Sequence, residues 1–290
     1  MISVTLAQSI LNGFMAGSIY ILVALGLTLI MGIMGIVQLA HGEIYMMGAY
    51  VTYAFCTVLG LPFMLSLVIS ALIMGIAGVI IERVFYRPFR HEADFLPVLI
   101  VATAVMLILQ NTAIISFGAS DKVVSSPFSG VITFAGVSLS RERLIAIIIT
   151  IILVAALFFL LQKTKIGQAM IAISQNFKGA ALQGISIDRI SSVGMYIGCA
   201  LAAVAGALMG AIFNLSPTMG TFALMKGIAA MVLGGMGSLM GTVIGGLIIG
   251  LTEGIVSSFL GVQIANLTVF MLIILILLFR PQGIMGQPSR

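Results

Sequence analysis

Apolar residues fill this chain in long runs, separated by only a few short polar stretches. A helix needs roughly 20 residues to cross a bilayer. Nine runs come close to that length: 9–31, 36–59, 62–82, 95–117, 144–162, 191–213, 219–236, 241–259 and 264–279. Gln38, His41 and Glu43 interrupt the second, and glycines break up the seventh. The pattern predicts an all-α polytopic membrane protein of eight or nine transmembrane helices, the lower count leaving one re-entrant half-helix. Turn-rich breaks fall at Gly60-Leu61-Pro62, Ser125-Ser126-Pro127 and Ser216-Pro217-Thr218, and residues 1–290 read as a single transmembrane domain.

Two stretches follow a different rhythm. Between Lys163 and Arg189, apolar residues recur at Ile166, Met170, Ile173, Phe177 and Ala181, the spacing of one helix face. Lys165, Gln168, Ser174, Gln175, Asn176, Lys178 and Gln183 occupy much of the remaining surface. One short amphipathic helix held between spans predicts a binding surface. Its stripe either docks into a partner's groove or lies back on the chain's own helices or on lipid. The second stretch is Gly118–Arg143, where alternation at Val131-Ile132-Thr133-Phe134 and Val137-Ser138-Leu139 predicts a small hairpin.

Composition narrows the class. With 61% hydrophobic and 7% charged residues and a mean hydropathy of +1.27, the chain lacks the polar surface that a soluble globular domain needs. The formal charge of +5 is not a nucleic-acid footprint, because the basic residues sort by side. Arg83, Arg87, Arg90, Lys163, Lys165, Lys178, Arg189, Arg280 and Arg290 fall on one side under the nine-span count, and Lys122, Arg141, Arg143 and Lys226 on the other. The positive-inside rule makes the first side cytoplasmic, with the N-terminus outside. Residues 9–31 lack the basic flank of a signal peptide and are expected to be a retained span. Cys56 and Cys199 fall within spans and are expected to be buried packing residues.

Glycines four apart, at Gly13/Gly17, Gly206/Gly210, Gly241/Gly245 and Gly246/Gly250/Gly254, form small-residue ridges that let helix backbones approach closely in lipid. They are expected to serve packing within the chain. Gly32-Ile33-Met34-Gly35 and Gly234-Gly235-Met236-Gly237 resemble one another in the two halves, as matching broken helices of an internal repeat would.

Candidate chemistry is sparse. An ionisable residue inside a span is a functional-site candidate, because leaving it unpaired is costly. His41 and Glu43, one or two turns deep if their span begins at the cytoplasmic side, either line a pathway or hold a broken helix by hydrogen bonds. Glu253, flanked by Gly250 and Gly254, either bonds a neighbouring helix or lines a wet cavity. Gln110 and Asn111 face a pathway or another helix. No glycine-rich loop ends in Gly-Lys-Ser/Thr, no His/Cys spacing suits a metal, and Asp94, Asp121 and Asp188 lie outside the spans. The chain therefore reads as a non-enzyme without cofactor or metal.

Five blocks then match a known pattern: Ala40-His41-Gly42-Glu43 with Met47-Gly48-Ala49-Tyr50; Glu82-Arg83-Val84-Phe85-Tyr86-Arg87-Pro88; Gly167-Gln168-Ala169 leading to Gly184-Ile185; Leu233-Gly234-Gly235-Met236-Gly237-Ser238; and Phe279-Arg280-Pro281-Gln282-Gly283. Together they resemble the LivH-type permease of branched-chain amino acid ABC importers. The resemblance implies a type II-like importer fold in a bacterial or archaeal inner membrane. It implies a second, related permease subunit, two cytoplasmic ATP-binding subunits and an extracytoplasmic substrate-binding protein. It also implies that the segment 163–189 couples to the ATPase, through Gly167, Met170, Ile173, Phe177, Ala181 and Gly184. Two departures accompany it. Ile171 stands where the family commonly has arginine, and the Glu-Ala-Ala-x-x-x-Gly loop signature is imperfect at Gly179-Ala180-Ala181 before Gly184. A permease for urea or short amides would look much the same, and an ion-coupled secondary transporter is the reading from a different class.

Overall fold

The computed structural model describes residues 2–36, 38–89, 95–124, 128, 130–134 and 137–286. Arg90, Asp94, Arg290 and the Ser125-Ser126-Pro127 break lie outside these residues. The helices are α1 (Ile2–Met34), α2 (His41–Tyr53), α3 (Phe63–Ile81), α4 (Phe95–Phe117), α5 (Arg141–Lys163), α6 (Lys165–Gln175), α7 (Phe177–Leu182), α8 (Ile187–Ile212), α9 (Met219–Gly234), α10 (Leu239–Leu260) and α11 (Val262–Phe279). A hairpin of β1 (Val131–Phe134) and β2 (Val137–Ser140) precedes α5. Its strands pair antiparallel with Val131 opposite Ser140, as the alternation predicts. The Gln8 side chain ties it to α1, donating to the Ser138 carbonyl at 2.8 Å and accepting from the Ser138 amide at 2.9 Å.

Among the described residues, seven helices are long and apolar enough to cross a membrane: α1, α3 with its continuation to Phe89, α4, α5, α8, α10 and α11. The two remaining expected spans form shorter helices. Within the run 36–59, α2 begins at His41 and continues beyond Tyr53 through a π-helical turn, Ala54–Val58. The run 219–236 yields α9, which stops at Gly234; Gly235 follows at φ +110°, a conformation that favours glycine.

Lipid is as apolar as the helices, so it gives no hydrophobic drive for their association, and close packing must supply it. Glycines provide that packing. A Cβ at Gly13 would lie 2.8 Å from the Gly250 carbonyl oxygen, and one at Gly17 3.1 Å from that of Gly246, so α1 and α10 meet backbone to backbone. Gly241 and Gly245 face Gly234 and Ala230 of α9, and Gly206 meets the Tyr45 carbonyl of α2. Every ridge singled out in the sequence packs within the chain.

α1 and α8 run through the centre, and their neighbours share one core that includes Leu22, Leu25, Ile44, Tyr45, Met46, Tyr50, Met195 and Leu208. Cys56 and Cys199 are buried there and form no disulfide. α4 and α11 are peripheral and carry exposed apolar side chains such as Ile115 and Leu278.

Candidate functional site

Four polar regions stand out against this apolar frame. The first is the connection between α5 and α8. Thr164 ends α5 and caps α6, its hydroxyl accepting from the Gly167 amide at 3.1 Å. Asn176 then repeats the device, accepting from the Gly179 amide at 2.8 Å, and its extended backbone (φ −155°, ψ 97°) ends α6. The single amphipathic helix expected over 166–181 is therefore two helices, because an asparagine side chain competes with the helical backbone and favours a cap.

The break divides the predicted stripe. Gly167, Met170 and Ile173 are buried, Met170 being 1% exposed and Ile173 3%. Gly167 is pressed against the backbone of Leu160 and Leu161, so a larger residue would push α6 off α5. Phe177 and Leu182 are exposed, at 39% and 87%, and so is Ala181, whereas Ala180 turns inward. Gly184 (φ +79°) closes α7: its amide reaches the Ala181 carbonyl at 3.0 Å and that of Ile185 the Ala180 carbonyl at 3.2 Å, a Schellman arrangement.

The second region surrounds the start of α2. His41 packs on Gly26 of α1, where a Cβ would come within 2.8 Å of Nε2. Gly26 lies eight residues before the end of α1, or about 12 Å along its axis. That distance is about two helical turns. His41 Nδ1 is 3.2 Å from Gln38 Oε1, and His41 and Glu43 are 0% and 1% exposed. The N-termini of α2 and α9 meet here. A Cβ at Gly220 would lie 2.5 Å from the Gly42 carbonyl oxygen and 3.0 Å from Glu43 Oε2.

The third region is centred on Glu253 of α10. Its carboxylate accepts from the Tyr20 hydroxyl of α1 at 2.8 Å and pairs with Lys226 of α9, and Lys226 also donates to the Tyr20 oxygen at 2.9 Å. Glu253 therefore bonds the neighbouring helices α1 and α9. Beside it opens a cavity of about 220 Å³, lined by Asn12, Met15, Ile19, Tyr20, Arg143, Phe213 and others.

Lys226 was expected at the outer side but sits within α9, and its long side chain reaches Glu253. Sequence reasoning missed both Lys226 and Tyr20 as partners. The available signal was that a lone acid and a lone base lie inside two neighbouring apolar runs, where each needs the other. Gln110 and Asn111 on α4 join none of these regions; Asn111 is exposed and donates to its own helix's Leu107 carbonyl at 2.8 Å.

A fourth polar cluster was also missed. The π-helical turn Glu82–Tyr86 brings residues five apart together, so Arg87 pairs with buried Glu82 at 3.0 Å and reaches Ser192 of α8 at 2.9 Å. This accounts structurally for the charged ends of the Glu82–Pro88 block.

The structure is thus that of a polytopic helical membrane protein with polar groups gathered between its helices. The comparisons make this specific. The family profile described as the permease component of the branched-chain amino acid transport system matches residues 9–279. The chain is 34% identical to the high-affinity branched-chain amino acid transport system permease protein BraD of Pseudomonas aeruginosa, over 97% of this chain and 96% of the relative. It is 37% identical to the corresponding protein LivH of Salmonella typhimurium, with the same coverage of both. It is also 25% identical to LivM, the Escherichia coli permease protein of such a system, over 92% of this chain and 68% of the relative. No solved structure matches the chain. The chain belongs to the branched-chain amino acid transport permease family.

Proposed function

We propose that this chain is the membrane-spanning permease subunit of an ATP-driven importer for branched-chain or other aliphatic amino acids. It would work in a bacterial or archaeal inner membrane, with the segments 35–58 and 213–234 completing eight or nine crossings of a type II-like fold. The carrying observation is the end-to-end similarity to BraD and LivH, whose names state that transport system. The sequence supplies no phosphate-binding loop, so ATP would be hydrolysed on two separate cytoplasmic subunits. A second, related permease and an extracytoplasmic binding protein complete the assembly.

The α6–α7 segment is the proposed coupling element, with a division of labour. Gly167, Met170 and Ile173 anchor it on the permease's own helices, and Gly184 closes it. Phe177, Ala181 and Leu182 form the exposed face for an ATPase groove, where an aromatic anchor such as Phe177 can contribute more than about 2 kcal/mol.

The test is uptake of labelled leucine by vesicles containing the chain, its partner permease and the ATPases. Uptake should need both ATP and the binding protein. Uptake by the lone chain driven by an ion gradient would overturn the proposal.

A further inference from the structure

The cavity beside Glu253 opens where α1 and α5 begin and α8 ends, and its lining is chemically uneven. Met15, Ile19, Met209 and Phe213 make apolar walls, Ala16 and Gly254 leave room between them, and two charges of opposite sign face it from different helices.

At one pole is Arg143, in the first turn of α5. Its guanidinium donates to Asn12 Oδ1, a neutral acceptor that also receives Gln8 Nε2 at 3.3 Å. No carboxylate among the described residues pairs with Arg143, and a guanidinium has five donors. The electropositive N-terminus of α5 adds a field of the same sign. At the other pole, the Glu253 carboxylate has accepted bonds from Lys226 and Tyr20 but offers about four lone-pair sites.

A group that fills this space with both poles satisfied carries an anion, a cation and an apolar body. A cavity of about 220 Å³ exceeds the ~30 Å³ share of one water several-fold, enough for one small solute.

We propose that this cavity binds a zwitterionic aliphatic α-amino acid, with its carboxylate on Arg143, its ammonium on Glu253 and its side chain among Met15, Met209 and Phe213. This rests on the amino acid importer reading and adds to it a substrate site within the membrane subunit. Tyr20 and Lys226 are positioning residues that hold the Glu253 carboxylate toward the cavity.

The test measures binding of labelled L-leucine to the purified full chain in lipid nanodiscs, in parallel with uptake by the complete importer. Isoamylamine, which lacks the carboxylate, and isocaproate, which lacks the ammonium, serve as competitors. Each should bind at least about tenfold more weakly than leucine, the loss expected when one charge-assisted hydrogen bond is removed. Arg143→Gln should weaken leucine about tenfold and leave isoamylamine unchanged, and Arg143→Lys should restore part of the loss. The double variant Glu253→Gln/Lys226→Met avoids stranding a buried charge; it should weaken leucine and leave isocaproate unchanged.

An Arg143→Gln protein that weakens leucine and isoamylamine equally would show a purely structural arginine and overturn the assignment. Isocaproate competing as well as leucine would mark an anion or lipid site and overturn it too. Leucine uptake by the importer without leucine binding to this chain would sink the site alone, whereas absence of leucine uptake would sink the amino acid reading itself.

Discussion

Two polar clusters sit between the same central helices, yet their surroundings differ in kind. Around His41 and Glu43, helix backbones touch at Gly26, Gly42 and Gly220, and the side chains are sealed from solvent. Around Glu253, a lysine and a tyrosine bond the carboxylate, and the assembled group faces a cavity shared with Arg143. Ionisable residues inside a membrane protein are expensive in either place. The two places differ in how the polar groups are held. Glycine contacts fix where α2 and α9 begin around His41 and Glu43, whereas Glu253 is held by side-chain bonds beside a cavity.

The largest effect is expected on the sealed side. Gly220→Val would force side-chain atoms into the Gly42 backbone and Glu43, an overpacking expected to exceed the ~1–3 kcal/mol usual in cores because the atoms met at Gly42 are backbone. Size-exclusion chromatography should then recover little monodisperse protein; a wild-type yield and melting temperature would mean that the α2–α9 contact is not tight.

A smaller effect is expected at the open cluster. Lys226→Met alone strands Glu253, whose side chain is 15% exposed, and should destabilise by about 2–3 kcal/mol, below the 3–5 kcal/mol of a fully buried pair. Adding Glu253→Gln should return most of that loss in thermal melting. A double variant less stable than the single would contradict the pairing.

The smallest effect on folding is expected outside both clusters. Phe177→Ala removes a half-exposed side chain, so stability should change by no more than about 0.5 kcal/mol while affinity for the ATPase subunits falls. Unchanged ATPase affinity would remove Phe177 from the proposed coupling face.

The long apolar runs, the hairpin at Val131–Ser140 and the glycine ridges were legible in the sequence, because each depends on local period or on residue size alone. The rest depended on tertiary context. The 3–4 spacing of Ile166 to Ala181 continues across Asn176, so periodicity does not reveal a cap that splits the helix and turns Met170 and Ile173 inward while leaving Phe177 out. Lys226 was counted with the outer charges because charge-by-loop reasoning cannot see a side chain reaching an acid 27 positions away.

We propose that the sealed cluster serves the fold and the open cluster serves passage. The most direct test is the rate of ATP-driven leucine uptake per correctly folded complex, measured side by side for His41→Ala and for Glu253→Gln/Lys226→Met. His41→Ala should lower the amount of folded complex but leave the rate per complex near wild type, and the double variant should assemble fully and transport at least about tenfold more slowly. Full assembly with slow transport for His41→Ala, together with wild-type transport for the double variant, would contradict it.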